Sequence, residues 1–366
     1  MYNLTKKEKY MINIAKVDKN MAASQSFQKE DIVFYDAESL PFKIHGLMKA
    51  QDESFFTRMP TEVAKSVSEG VAELYSCTNG GRIRFVTDSE YVAISVKYHS
   101  IARTPNMPLT CLCGLDLYVK SEGDSTPRYI RNFMPQMSIT DSFEQIVNFN
   151  YEKKKSEITI NLPVFSSVEK VYIGLQESAT VEPSPEYTHK TPVVFYGSSI
   201  THGGCASRPG NTYTEMLSRK YDFDYINLGF SGSAKGEKEM AEYVASLDMS
   251  VFVLDYDHNA PTPAHLEETH ESFYKTVREA HPNLPIIMIS KPTYVLWPDD
   301  IKRIEIIKKT YDNALAAGDR NVYFIDGSKF FPDDVKYSAF VDDCHPNDLG
   351  FYFMAKEIGD VLEKLL

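Results

Sequence analysis

Midway along the chain runs the stretch Val193-Val194-Phe195-Tyr196-Gly197-Ser198-Ser199-Ile200-Thr201-His202-Gly203-Gly204-Cys205. Its first four residues are apolar and present no polar face, so the strand they predict is buried on both sides, as in a parallel sheet. A Gly and two serines then end the strand. Taken alone, such a segment is a turn or a helix cap. It can also present a serine hydroxyl at the strand's carboxyl end, and the rest of the chain has to decide.

Similar apolar runs follow at 225–228, 251–256, 285–289 and 322–325. Between them lie helix-period segments, such as Leu266, Phe273, Val277 and Ala280 behind Pro263. A last helix carries Phe351, Met354, Ile358, Val361 and Leu365 on one side. Buried strands alternating with amphipathic helices predict an α/β domain, a parallel sheet with helices on both faces. In such sheets ligands bind beyond the carboxyl ends of the strands.

Upstream the grammar differs. The pair Pro183 and Pro185 prevents both helix and central strand and marks a boundary. From about 31 to 180 the pattern alternates with period two. Ile83 and Phe85 alternate with Arg82 and Arg84, and Val92, Ile94 and Val96 with Ala93, Ser95 and Lys97. Turn-rich segments such as Asn79-Gly80-Gly81 separate these runs. This predicts an antiparallel β-sandwich or jelly roll. Cys111 and Cys113 fall in phase with Leu115, Leu117 and Val119 and are expected to line a strand's buried face. The expected organisation is an arm over 1–30, a β-sandwich over 31–182 and the α/β domain over 188–366.

The chain has 366 residues and a formal charge of -12, which excludes nucleic acid as the main partner for want of a basic surface. The short basic runs Lys6–Lys9 and Lys153–Lys155 read as solvated surface. No run approaches the about 18 apolar residues of a membrane-spanning helix. No signal peptide is visible, so a cytoplasmic location is expected, or a periplasmic or secreted one if a leader was removed. Five cysteines make no even disulfide framework and suit a reducing compartment.

Four distant segments would meet at the strand ends: Gly197-Ser198-Ser199, then Asn227-Leu228-Gly229-Phe230-Ser231-Gly232, then Asp255-Tyr256-Asp257-His258-Asn259, and finally Asp342-Asp343-Cys344-His345-Pro346-Asn347 before the last helix. They supply a hydroxyl, two Gly turns, a side-chain amide, and an acid with an imidazole. This set resembles the SGNH/GDSL hydrolase family, whose four blocks are a nucleophilic Ser, a Gly, an Asn and Asp-x-x-His in this order. The matching positions are Ser199, Gly232, Asn259 and the Asp342/His345 pair. Gly114-Leu115-Asp116-Leu117-Tyr118 also resembles the GxDLY domain that precedes a subset of these enzymes. The sequence departs from the family pattern where Ser198 replaces the usual Asp and Asp257 the usual Gly. Both bear on loop shape, and no proton-transfer group or oxyanion donor is lost.

The resemblance implies a flavodoxin-like hydrolase domain behind an accessory sandwich, working without metal or organic cofactor. A neutral serine is a poor nucleophile and needs a base, a role that falls to His345 because imidazole titrates near operating pH. Pro346 is expected in the first turn of the last helix. Asp342 is expected to orient the imidazole by motif position, with Asp343 as the rival. The oxyanion would meet the Ser199 and Gly232 backbone N–H groups and the Asn259 amide. Glycine suits position 232 because a side chain would obstruct the acyl oxygen, and Ser199 is expected to open the following helix.

Arg208, His258, Tyr294 and Trp297 are candidate substrate contacts. A loop-fixing salt bridge for Arg208, and core or domain-interface packing for the two aromatics, remain open alternatives. His202, His258, Cys205 and Cys344 raise the idea of zinc, but the spacing lacks H-x-x-x-H or paired C-x-x-C, so no metal is expected. The expected function is removal of a small acyl group, acetyl foremost, from a carbohydrate or similar polyol. The alternatives are a lipid or thioester hydrolase and a glycan-binding protein with an inactive hydrolase half. Whether the sandwich binds glycan, makes a homo-oligomer or overhangs the site stays open.

Overall fold

The computed structural model describes residues 29–150 and 152–366, so the expected arm and its Lys6–Lys9 run fall almost wholly outside the described residues. The period-two segments pair into two antiparallel sheets. One has the order β1 (Ile32–Asp36), β9 (Ser167–Gln176), β4 (Tyr91–Ser100), β7 (Ser142–Asn148). The other has the order β10 (Val181–Glu182), β3 (Arg82–Thr87), β8 (Ser156–Asn161), β5 (Leu115–Ser121), β6 (Arg128–Phe133), with β2 (Lys43–His45) paired to β3. Ile83, Phe85, Ile94, Leu117, Ile160 and Ile173 fill the space between them.

The face of β3 opposite that core does not meet water. Arg82 and Arg84 are buried against the second half of the chain. Arg82 reaches Asp224 at 2.5 Å and lies 3.9 Å over the Tyr225 ring, while Arg84 lies 3.9 Å over Tyr187 and pairs with Glu157. The alternation is that of a sheet with both faces covered, one by apolar packing and one by paired, stacked arginines.

Two segments depart from the expected strands. Cys111 lies in a single helical turn, α3 (Leu109–Leu112), and Cys113 follows it as the cap. The Pro108 carbonyl accepts from the N–H groups of Cys111 and Leu112, and that closes the turn in place of a strand. Both cysteines are buried as expected. The pair α1 (Thr61–Val67) and α2 (Glu69–Leu74) interrupts the period-two region. Its Ala64, Val67 and Val71 pack into the core of the α/β half rather than between the two antiparallel sheets.

The parallel sheet has the order β12 (Phe223–Gly229), β11 (His189–Gly197), β13 (Val251–Asp255), β14 (Ile286–Ile289), β15 (Val322–Ile325). Helices α6 (Lys238–Ala245), α7 (Pro263–Ala280) and α8 (Pro298–Ala316) cover one face, and α5 (Tyr213–Tyr221) and α9 (Asp348–Leu362) cover the other. The opening stretch shows why a run without alternation fits here. Val194 and Tyr196 enter the first core, while Val193 and Phe195 enter the second. Because β11 lies between β12 and β13, the chain leaves it at the point where strand order reverses, where a crevice opens.

Arg58 ties the two halves together. It is fully buried, and its guanidinium donates to the carbonyls of Asn227 (2.9 Å), Gly229 (2.7 Å) and Leu74 (2.7 Å) and stacks 4.4 Å from the Phe230 ring centre. Burial pulls its pKa down to about 10, so it keeps its charge at neutral pH. Arg58→Ala leaves a cavity and three carbonyls without their donor, and should cost about 3–5 kcal/mol, read as a lower urea midpoint. A midpoint unchanged within error would show that water replaces the guanidinium at no cost.

Candidate active site

Ser199 lies two residues beyond the end of β11 and opens α4 (Ser199–His202), a single turn. Ser198 is its cap, with Oγ accepting from Ile200 N at 3.2 Å, a task that an Asp at this position would share. Four residues carry little macrodipole, so the turn offers its free N–H groups rather than a long helix's field. Gly197 must be glycine for close packing, since a Cβ there would lie 2.4 Å from the Asp255 carbonyl oxygen.

The Asp-x-x-His segment closes on itself. Asp342 Oδ1 accepts the backbone N–H groups of Cys344 (2.9 Å) and His345 (2.7 Å). His345 Nδ1 lies 2.9 Å from Oδ2 and 3.1 Å from Oδ1, and the far ring nitrogen, Nε2, lies 2.9 Å from Ser199 Oγ. Asp342 rather than Asp343 meets the ring. With Nδ1–H donating to the carboxylate, Nε2 is free to accept the serine proton. Partial burial works to raise the Asp342 pKa, but the His345 backbone and ring, the Cys344 N–H and the Asn106 amide outweigh it. The carboxyl is held well below the usual range. Pro346 is not in the first turn of α9. It forms a short bridge with Phe340, and Asn347 caps the helix through Leu349 N and Gly350 N.

The candidate oxyanion donors stand at the ends of the three adjacent strands β11, β12 and β13. Phe230 N donates to Gly197 O at 2.9 Å, and Asn259 Nδ2 donates to Phe230 O at 2.9 Å, which leaves its second N–H uncommitted to that bond. Gly232 has φ +67°, a region costly for other residues, whereas nothing within 4 Å would obstruct a Cβ. Within the protein itself the demand for glycine is therefore one of backbone conformation. Beneath this turn lies buried His202. Burial keeps it neutral, its Nε2–H donates to Val164 O (3.0 Å), and its Nδ1 accepts from Ser231 N (3.4 Å).

The remaining candidates divide. Arg208 is committed to the joint between the halves, at 2.8 Å from Asp116 and 2.5 Å from the Tyr118 hydroxyl, while Asp116 also accepts Gly210 N. The Asp and Tyr of Gly114–Tyr118 thus grip the 208–210 turn, and the salt-bridge alternative describes Arg208. His258 Nε2 lies 2.7 Å from Cys344 Sγ. Burial pulls His258 down to about 4 and pushes the Cys344 thiol up to about 12, so a neutral S–H donates to a neutral ring. Burial and the Asp342 charge push the Cys205 thiol to about 12 as well. Cys205, Asp342 and His345 bring possible metal-ligand atoms within 4.8 Å of one another, but among the described residues the four weighed for zinc form no common cluster.

Trp297 is 66% exposed at the start of α8, and Tyr294 packs 4.8 Å from Phe340 and 6.0 Å from Tyr337. Sequence reading missed Arg58, Asn106 and the role of His202. An arginine inside Phe55-Phe56-Thr57-Arg58-Met59 was a usable signal, because a charge in an apolar run needs a buried partner.

A family model for GDSL-like lipases/acylhydrolases matches residues 190–363, and one for the N-terminus of SGNH-hydro-type esterases, GxDLY, matches residues 32–181. The chain is similar in structure to a GDSL-like lipase from Bacteroides ovatus, with a TM-score of 0.81 and 29% identity over 91% of this chain and 98% of that one. It shares its fold with the salicylyl-acyltransferase SsfX3 of a tetracycline biosynthetic pathway, with a TM-score of 0.74 and 20% identity over 93% and 99%. It also shares it with a family two carbohydrate esterase from Clostridium thermocellum in complex with cellohexaose, with a TM-score of 0.62 and 14% identity over 88% and 98%. No curated protein matches the chain. No helix of the described residues is long and apolar enough to cross a membrane.

Proposed function

The chain belongs, over residues 190–363, to the GDSL-like lipase/acylhydrolase family and is an acyl ester hydrolase; from that premise we propose that Ser199 is its nucleophile and a small acyl ester, acetyl foremost, of a carbohydrate or similar polyol its substrate. Ser199 Oγ attacks the ester carbonyl as its proton passes to His345 Nε2. The oxyanion is met by the Ser199 and Gly232 N–H groups and the free N–H of Asn259. The carbon–oxygen bond to the alcohol breaks, and His345 returns the proton to the leaving oxygen. Water, deprotonated by His345, then attacks the acyl-serine, and Ser199 leaves with the proton restored. Asp342 keeps the proton on Nδ1 and stabilises the imidazolium between these steps.

The observation that carries this reading is the unbroken Ser199–His345–Asp342 contact, 2.9 Å at each step. Removing one oxyanion donor typically costs about 10²–10³ in turnover, so Asn259→Ala should lower kcat by that factor with little change in KM. A loss confined to KM would assign the amide to substrate binding instead.

The carbohydrate assignment rests on the exposed aromatics. Tyr337 (73% exposed) lies 6.0 Å from Tyr294, which packs on Phe340, the bridge partner of Pro346 beside His345, and Trp297 (66% exposed) follows Tyr294 three residues later at the start of α8. Flat aromatic faces next to a hydrolytic centre suit the C–H faces of a sugar ring. Turnover of acetylated sugars, long-chain esters and thioesters should favour the acetylated sugars. Trp297→Ala should raise KM for them while sparing kcat on a simple aryl acetate. A preference for long acyl chains would point to a lipid hydrolase. Glycan affinity without any acyl-enzyme would point to a binding protein.

A further inference from the structure

The first half of the chain reaches the reacting groups through the side chain of Asn106. Asn106 lies in the loop between β4 and α3, and its Nδ2 donates to Asp342 Oδ2 at 3.1 Å across 236 residues of sequence. Oδ2 is the carboxylate oxygen nearer to His345 Nδ1, at 2.9 Å against 3.1 Å for Oδ1, and Oδ1 also accepts the two backbone N–H groups of its own turn. The direction of the amide is fixed as well. Thr104 Oγ1 donates to Asn106 Oδ1 at 2.9 Å, which turns the nitrogen toward the carboxylate. The loop is anchored on the far side by Cys205, whose thiol points to the Asn106 carbonyl at 3.7 Å.

We propose that Asn106 is a positioning residue of the reaction, supplied by the accessory half: its amide holds Asp342 Oδ2 in the plane of the His345 ring and so fixes the tautomer that accepts the Ser199 proton. This rests on the mechanism above. A carboxylate held on one oxygen alone can pivot about its Cγ and lose the line to Nδ1. Two donors on Oδ1 and one on Oδ2 remove that freedom, and the third comes from a segment outside the α/β half. Active-site geometry then depends on how the two halves sit together, and the interlocked Asp116–Arg208 and Arg82–Asp224 pairs hold that arrangement.

The test is Asn106→Ala in the full chain, read by two measures. The kcat should fall about 10- to 100-fold, the range set by one hydrogen bond to a charged group, with KM within about twofold. The downfield proton resonance of the His345 Nδ1–H should move upfield and exchange faster with water, a change that a purely structural role would not produce. Should Asn106→Ala fail to fold, Thr104→Val, which releases only the orientation of the amide, should move both measures the same way by less. Turnover within twofold of the unmodified chain, or lost turnover with an unshifted resonance, would overturn the proposal. If the unmodified chain turns over no ester, the mechanism above fails instead, and the resonance still decides the role of Asn106.

Discussion

His345→Ala is expected to lower kcat by about 10⁶ while the protein stays folded. The magnitude follows from what the ring does at both chemical steps: without it the Ser199 hydroxyl keeps its proton during attack, and the leaving oxygen departs as an unprotonated alkoxide. What survives should be the catalysis of the oxyanion donors and of substrate binding alone. The fold should tolerate the change because the side chain is 23% exposed and the turn that holds it is closed by its backbone N–H to Asp342, which alanine keeps. The measurement is turnover on an activated acetyl ester, with circular dichroism and melting temperature as controls. Because base and nucleophile act as a unit, Ser199→Ala and the double replacement should each fall to about the same level. A double variant far below either single one would mean that the two residues act independently.

Asp342→Asn should cost about 10⁴ in kcat through the tautomer rather than the geometry. The asparagine can place an N–H where Oδ2 now faces Nδ1. The ring would then carry its proton on Nε2, where it donates to Ser199 Oγ instead of accepting from it. The same substitution changes the acid side of the stability curve. In the folded protein the Asp342 pKa is lowered from 3.8 because its hydrogen bonds favour the charged form over the burial that opposes it. A depressed carboxyl contributes stability that is present above the unfolded value and lost as pH falls through the folded one. The unmodified protein should therefore lose stability below about pH 4 more steeply than the Asp342→Asn variant, whose side chain does not titrate. Equal slopes in urea titrations from pH 5 to pH 2 would mean that the ionised carboxylate adds nothing to the fold.

The parallel sheet was legible because its strands are buried on both faces, so Val193–Tyr196 and 251–256 read as apolar runs without a register to guess. Ser199, Gly232, Asn259, Asp342 and His345 were legible as candidates, because their segments follow predicted strands or precede the last helix and also match the four blocks of the SGNH/GDSL pattern. What failed were segments whose state is set by one local or distant contact. Cys111 and Cys113 kept strand phase with Leu115, yet Pro108 and its carbonyl closed a turn instead. Arg82 and Arg84 had the pattern of a solvated face, and only the second half of the chain supplies Asp224, Tyr225 and Tyr187 to cover them. Asn106 had no local signal at all, because its meaning depends on Asp342, brought to it by the joining of the two halves.

The chemistry proposed above turns on whether His345 makes Ser199 nucleophilic. Reaction of the native protein with a fluorophosphonate, followed by peptide mass spectrometry, tests it most directly. A single adduct is expected on the peptide carrying Ser198 and Ser199, localised to Ser199 by fragmentation, absent after denaturation and absent in His345→Ala. No adduct on the folded protein, or an adduct on Ser198 or a cysteine such as Cys344, would contradict it.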